Sequence, residues 1–247
     1  MATYKVQHLS NWATSDSKNN RNQKQSLATH AAAVTKTRMH IDADWNKSAW
    51  KHIRPLVLQH FMGNRPKHLP RTQAKLLYDD KALYVIFRVK DFCVRAISKE
   101  HQDHVYLDSC VEFFFAPEDP TEKSYFNLEM NCGGTMLLHY QTIPRKVPLK
   151  LTKQEIARIE VAHSQPKIID PEVIEPTTWT VEYRLPFDIL KKRSSTFVQP
   201  APGVLWRANF YKCADHTSNP HWLTWARIDH PVPNFHLPQF FGVLEFL

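Results

Sequence analysis

Glycine is scarce in this chain, with 5 residues among 247, while proline reaches 17. Loops built from so little glycine and so much proline are set by proline's fixed φ and are not free hinges. No phosphate-cradling glycine loop occurs, and no serine elbow of the hydrolase type. Long hydrophobic runs are missing too, since no apolar stretch approaches the ~18 residues of a membrane-spanning helix. Cysteine is limited to Cys93, Cys110, Cys132 and Cys213, with no C-x-x-C pair. That spacing argues against a disulfide framework and for reduced thiols in an intracellular protein.

Acids are outnumbered, 24 Asp and Glu against 32 Lys and Arg, for a formal charge of +8. The excess favours neutral or polyanionic partners. Yet the chain has neither a helix of clustered Arg and Lys nor the Gly-aromatic strand of RNA-binding modules, so nucleic acid is not expected as a partner. A membrane partner is not expected either. The N-terminal stretch lacks the apolar core of a secretory signal. It is basic and rich in Ser and Asn up to Arg38, a composition also compatible with a mitochondrial transit segment. The cytoplasm is expected ahead of secretion.

What the chain does hold is alternation. Hydrophobic residues make up 43%, enough for a substantial core. Val111, Phe113 and Phe115 alternate with Cys110, Glu112 and Phe114, the two-residue period of a strand. A strand this apolar belongs in the middle of a sheet. Leu83, Val85, Phe87 and Val89 alternate with Tyr84, Ile86 and Arg88 beyond the turn Asp79-Asp80-Lys81, which predicts a hairpin. Further strands are read over 125–131, 135–140, 159–163, 179–185, 205–211, 223–225 and 241–246, an edge strand over 2–9 and a short helix over 186–192. Trp179, Trp206 and Trp225 sit on these strands among apolar neighbours and read as core. About ten short strands and almost no long helix give an all-β fold, an antiparallel β-sandwich with a few short helices. Residues 10–37 are too polar to offset their ordering entropy and are expected to be poorly ordered. The chain therefore divides into 1–38, an edge strand plus a flexible segment, and 39–247, a single sandwich domain.

Two of these strands can be registered. Aligning the apolar set Val111, Phe113 and Phe115 with Phe126, Leu128 and Met130 pairs Phe113 with Leu128, because a slip of one residue would expose every apolar side chain. Glu112 then lies opposite Glu129, with Asn127 and Asn131 on the same face. Facing carboxylates repel, so water, a cation or a retained proton must intervene. Arg88 and Arg207 are the candidate cations. Glu182, Arg184, Arg207 and Asn209 project from the non-core side of their own strands, so one sheet face is expected to gather acids, amides and guanidiniums. Such a surface suits the hydroxyls of a mono- or oligosaccharide, which both donate and accept. A plain solvated face of ion pairs is the alternative. The same register sets Cys110 and Cys132 on opposite faces, against a disulfide between them.

Catalysis is not expected. Asp108 and Glu112 lie four residues apart on a strand, roughly 13 Å at ~3.3 Å per residue, whereas glycosidase carboxyls stand about 5–9.5 Å apart. Glu112 and Glu129 are close enough but project from one sheet and do not flank a bond. The late histidines His216, His221, His230 and His236 show no regular metal spacing. Asp79-Asp80 and Asp42/Asp44 have the acids for calcium and also read as turns. No cofactor is expected, and a structural calcium has no assigned position. Oligomeric state is not encoded in any pattern found.

The stretches Asp108-Ser109-Cys110-Val111-Glu112-Phe113-Phe114, Tyr125-Phe126-Asn127-Leu128-Glu129, Trp206-Arg207-Ala208-Asn209-Phe210-Tyr211 and Pro233-Asn234-Phe235-His236-Leu237-Pro238-Gln239-Phe240-Phe241-Gly242, in this order, resemble carbohydrate-binding module family 9 and its stand-alone relatives. The resemblance runs from residue 39 to the C-terminus. It implies a DOMON-like β-sandwich that binds sugars without catalysis, commonly as an accessory to polysaccharide breakdown. It also implies a site: an Asp at Asp91, a Glu at Glu112, one stacking wall at Phe235 and the other near Val105, where Tyr106 is the nearby aromatic. The family's Arg falls on Glu129, a reversal of charge, and its Asn near Val232. Arg88 or Arg207 would then replace the cation, and Asn209 would add a hydrogen bond. Two rivals stand beside this reading: an interaction domain that kept the fold and lost its sugar, and a binder of a small ligand or haem.

Overall fold

The computed structural model describes residues 1–11, 38–118, 123–146 and 148–247. The expected flexible segment lies, beyond Asn11, outside the described residues. Among them the chain forms sixteen strands and three α-helices of at most five residues. In chain order the strands are β1 (Thr3–His8), β2 (Leu56–Leu58), β3 (His60–Phe61), β4 (Arg71–Tyr78), β5 (Ala82–Asp91), β6 (Val94–Ala96), β7 (Cys110–Ala116) and β8 (Tyr125–Asn131). They continue as β9 (Met136–Gln141), β10 (Leu149–Lys150), β11 (Glu160–His163), β12 (Ile169–Val173), β13 (Thr177–Pro186), β14 (Leu205–Cys213), β15 (Trp222–Thr224) and β16 (Gly242–Phe246).

The main path runs β10-β9-β8-β7-β14-β16-β1 and, through β1, on to β4-β5-β13-β11. It folds into two facing sheets whose inner sides share one apolar cluster. The first sheet contributes Val111, Phe113, Phe115, Leu128 and Phe210; the second contributes Val85, Phe87, Val89, Val181 and Tyr183. Phe113 stacks on Phe210 at 4.7 Å, and Phe210 reaches Phe87 across the gap at 6.0 Å. The β7–β8 register is the expected one, with Phe113 opposite Leu128 and Glu112 opposite Glu129. The 79–81 hairpin also forms, with Asp79 Oδ1 accepting from the backbone of Lys81 and Ala82.

Two expectations are corrected. The first strand is not an edge. Thr3–Val6 pair in parallel with β16, and Gln7 and His8 pair in parallel with β4, so β1 passes from one sheet to the other. The outer faces are also largely covered, not the plain solvated surface given as the alternative. Over the second sheet, Trp45, Trp50 and Ile53 pack on Leu77, Tyr84 and Ile86. Fully buried Glu182 anchors this cover, accepting from the backbone of Asp42 and Ala43, from the Trp50 indole and from Lys47. Over the first sheet, Ile228, Phe235 and Phe241 pack near Phe114, Tyr125 and Tyr211. Asn209 anchors that second cover. Its Nδ2 donates to the Ala226 carbonyl at 3.0 Å and its Oδ1 accepts from the Ala226 amide at 2.8 Å.

Alternation assigns a residue to a side of its own strand but does not say which sheet that strand joins. The polar residues expected on one face therefore occupy two. Arg88, Glu182 and Arg184 stand on the outer side of the second sheet, and Glu112, Glu129, Arg207 and Asn209 on the outer side of the first.

Candidate functional site

The cover on the first sheet is incomplete. Between it and the outer face of β7, β8, β9 and β14 lies a cleft of ≈ 470 Å³, lined by Tyr106, Glu112, Asn127, Glu129, His139, Gln141, Arg145, Cys213, Asp215, Trp222, Asn234, Phe235 and His236, among others. Its floor follows from strand pairing. Asn127 stands opposite His139, and Glu129 opposite Glu112 and Leu137, so the outward side chains of three adjacent strands form one polar row. The tight turn that sets this register uses Gly134 at φ +82°, where a Cβ would lie 2.5 Å from the His163 ring.

Within the row the hydrogen bonds run one way. Gln141 Nε2 donates to Asn127 Oδ1 at 3.0 Å, and Asn127 Nδ2 donates to Glu129 Oε1 at 2.9 Å. Glu129 Oε2, His139 Nε2 and Gln141 Oε1 are buried without a partner in the protein. A buried polar atom left unpaired costs ~1–3 kcal/mol, so three at one floor mark a surface that a polar ligand would complete. Burial pushes the Glu129 carboxyl up to about 7, against the hydrogen bond from Asn127. Glu112 is held well above its ordinary range by burial and by the nearby Cys213 and Glu129. The facing pair thus avoids two full charges by retaining protons. Burial likewise holds His139 down near 4 and His236 near 3, both neutral at physiological pH.

The walls are aromatic. Phe235 stacks on Tyr211 with centroids 4.1 Å apart and planes 7° apart. Tyr106 stacks on His104, its hydroxyl bonded to His104 Nδ1 at 2.9 Å. Half-buried Trp222 donates its indole N–H to Asp215 at 2.9 Å. His236 Nδ1 bonds the Tyr125 hydroxyl at 2.7 Å, and Arg145 stands exposed at the rim.

Of the residues anticipated for a site, this cleft brings together Glu112, Glu129, Tyr106 and Phe235. It does not include Asp91, Arg88 or Asn209. Asp91 faces the sandwich interior, where its carboxylate pairs with fully buried Lys212 at 3.3 Å. Arg88 stacks on Trp45 at 4.4 Å and donates to Gln73, on the far sheet. Asn209 spends its amide on Ala226. The cation that lines the cleft with the carboxyl pair is Arg145, which sequence reasoning had not singled out, nor had it singled out His139, Gln141 or Asp215. His139 and Gln141 were reachable by carrying the β7–β8 register one strand further. Asp215 and Arg145 lie in loops and gave no periodic signal.

A family model described as carbohydrate-binding family 9 matches residues 40–246. The chain belongs to that family. Its fold recurs in solved structures. A candidate carbohydrate-binding protein from Bacteroides uniformis ATCC 8492 is 25% identical, with TM-score 0.75 over 83% of this chain and 93% of that one. A family 9 module from Caldicellulosiruptor kristjanssonii in complex with glucose is 12% identical, with TM-score 0.61 over 100% of this chain and 96% of that one. The same organism's module in complex with cellotriose is 12% identical, with TM-score 0.58 over 99% and 93%. Comparison with curated protein sequences finds no match.

Proposed function

We propose that this cleft holds a mono- or oligosaccharide and binds it without chemistry. The observation that carries the reading is the pairing of a floor of unpartnered polar atoms, Glu129 Oε2, His139 Nε2 and Gln141 Oε1, with walls of Phe235, Trp222 and Tyr106. A pyranose has hydroxyls at its edge and C–H groups on its faces. Its edge suits the floor, and its faces suit aromatic rings, by the same logic that places Trp and Tyr where one side is apolar and the other wet. Glu112 and Glu129 project from neighbouring strands of one sheet. They approach a ligand from one side, whereas glycoside hydrolysis places carboxyls on both sides of the scissile bond. An accessory part in polysaccharide breakdown is consistent with the family.

A glycan array, followed by calorimetry with glucose and cellotriose, tests the reading on the wild type beside Glu129→Ala. The variant removes a buried carboxyl with an unpaired oxygen, so the fold should hold. Binding by the wild type and at least about tenfold weaker binding by the variant are expected, the equivalent of ~1.4 kcal/mol. Undiminished binding by the variant would move the site away from this floor. A folded wild type that binds no sugar would overturn the proposal.

A further inference from the structure

Beneath the cleft floor, Cys110 and Cys213 face each other as partners across β7 and β14, and Glu112 lies two residues further along β7 on the same side. All three are buried, and one Sγ from each cysteine and a carboxylate oxygen of Glu112 lie within 4.8 Å of one another. We propose that Cys110, Glu112 and Cys213 form a site for a borderline-soft divalent metal of the zinc class. Its fourth position faces the cleft, which Glu112 and Cys213 line.

The distances suit such an ion. Zinc bonds of ~2.3 Å to sulfur and ~2.0–2.2 Å to oxygen place tetrahedral donors roughly 3.3–3.8 Å apart. Here Cys213 Sγ is 3.0 Å from Glu112 Oε1, so a small outward turn of either side chain opens the gap. Without an ion the arrangement is costly. Among the described residues the hydrogen bond to the Glu112 side chain comes from the Cys213 thiol, a weak donor, while a second carboxyl stands across the ladder. A fully buried carboxyl served by so little is unusual. The donor set also selects the ion. Two thiolates disfavour calcium and magnesium, which take oxygen, and favour zinc-class metals. The other two thiols are not part of it, since Cys132 packs in the inner core and Cys93 stands by the Asp91–Lys212 pair.

Binding is an exchange of protons for metal, with no electron transfer. Thiols and carboxyls ligate such an ion in deprotonated form, so Cys110, Cys213 and Glu112 give up the protons they hold in the metal-free form. The incoming ion forms two metal–sulfur bonds and one metal–oxygen bond as two S–H bonds and one O–H bond break. Up to three protons pass to solvent, and affinity rises with pH.

The test uses the full chain, reduced with a phosphine, stripped with a chelator and titrated with cobalt(II) as a spectroscopic stand-in. Expected are a thiolate-to-cobalt charge-transfer band, d–d bands of tetrahedral intensity, saturation at one ion per chain and displacement by zinc. Cys110→Ser and Cys213→Ser should lose the charge-transfer band, while Cys93→Ser and Cys132→Ser retain it. Glu112→Gln, which keeps shape and both thiols, should bind cobalt at least about tenfold more weakly. A folded, reduced wild type giving no charge-transfer band would overturn the proposal. So would a band that survives in both Cys110→Ser and Cys213→Ser, or weak octahedral absorption alone.

Discussion

Replacing Lys212 with methionine should unmask what the sandwich interior spends on one charge. Lys212 and Asp91 project inward from opposite sheets, both side chains fully buried, with Nζ 3.3 Å from Oδ2. Lys212 also donates to the Cys213 carbonyl at 2.9 Å, lies 2.8 Å from His221 Nε2 and sits over the Trp179 ring at 5.9 Å. Removing one member of a buried pair strands the other, at a cost of ~3–5 kcal/mol. At roughly 2–4 °C per kcal/mol for a chain of this size, Lys212→Met should melt ~6–20 °C below the wild type at neutral pH. The double variant Asp91→Leu/Lys212→Met should recover most of that loss, since a buried pair exchanged for apolar groups is often neutral or stabilising. The pH dependence gives a second signature. In the wild type, burial raises the Asp91 pKa, but Lys212, His221 and the Phe92 amide outweigh it and leave it below its usual value. The pair's contribution is therefore present above the unfolded carboxyl range and lost as pH falls through the lowered value. In Lys212→Met the burial effect is left with less opposition and the Asp91 pKa rises. That variant is then most stable in acid and loses stability as pH climbs through the raised value. Urea titrations of the three proteins at acid and neutral pH read both effects. A deficit for Lys212→Met that is equal at the two pH values, or a double variant no better than the single, would refute the reasoning.

Three further outcomes are expected. Asn209→Ala leaves the Ala226 amide and carbonyl unpaired under the first-sheet cover, and urea denaturation should show a loss of ~2–4 kcal/mol. Glu182→Gln removes the charge facing Lys47 and can no longer accept from every donor of the 42–50 segment. Its midpoint in urea should fall by the equivalent of ~2–4 kcal/mol, with faster amide exchange at Asp42 and Ala43. Trp222→Ala removes one wall of the cleft and should weaken binding of any sugar identified on the array by roughly fivefold to twentyfold. Calorimetry would measure this, and the melting temperature should change little because the indole is half-buried.

Legibility in the sequence followed the range over which each signal acts. The β7–β8 hairpin was readable because its apolar alternation and its turn are local, and that alone put Glu112 opposite Glu129. The fold class followed from the same short periods repeated along the chain. Arg88 and Asn209 were placed by side of strand correctly and Asp91 only by the resemblance, yet none of the three lines the cleft. A period of two cannot tell the inside of a sandwich from a covered outside, nor one sheet from the other. Trp222 falls just before the strand read over 223–225, in a stretch without alternation, and the structure puts it in the cleft wall. Asp215 and Arg145 arrive through loops, whose course depends on contacts distant in sequence. Glu182 and Asn209 looked like outward polar residues and are instead the posts on which two covering segments hang. Glu182 satisfies backbone groups more than a hundred residues away and Asn209 one 17 residues on, and neither bond leaves a periodic trace.

The passage of β1 between the sheets sets an order of assembly. Thr3–Val6 pair with Val243–Phe246, so this half of β1 meets its neighbour only after β2–β15 have been made. Until then Thr3–Val6 wait without that partner, while Gln7 and His8 already have β4 to pair with. Pairings of such long separation are closed late and slowly. A peptide matching residues 242–246, supplied to nascent or C-terminally truncated chains, would compete for the same edge. The β1–β16 seam thus closes only when synthesis has passed every strand between them.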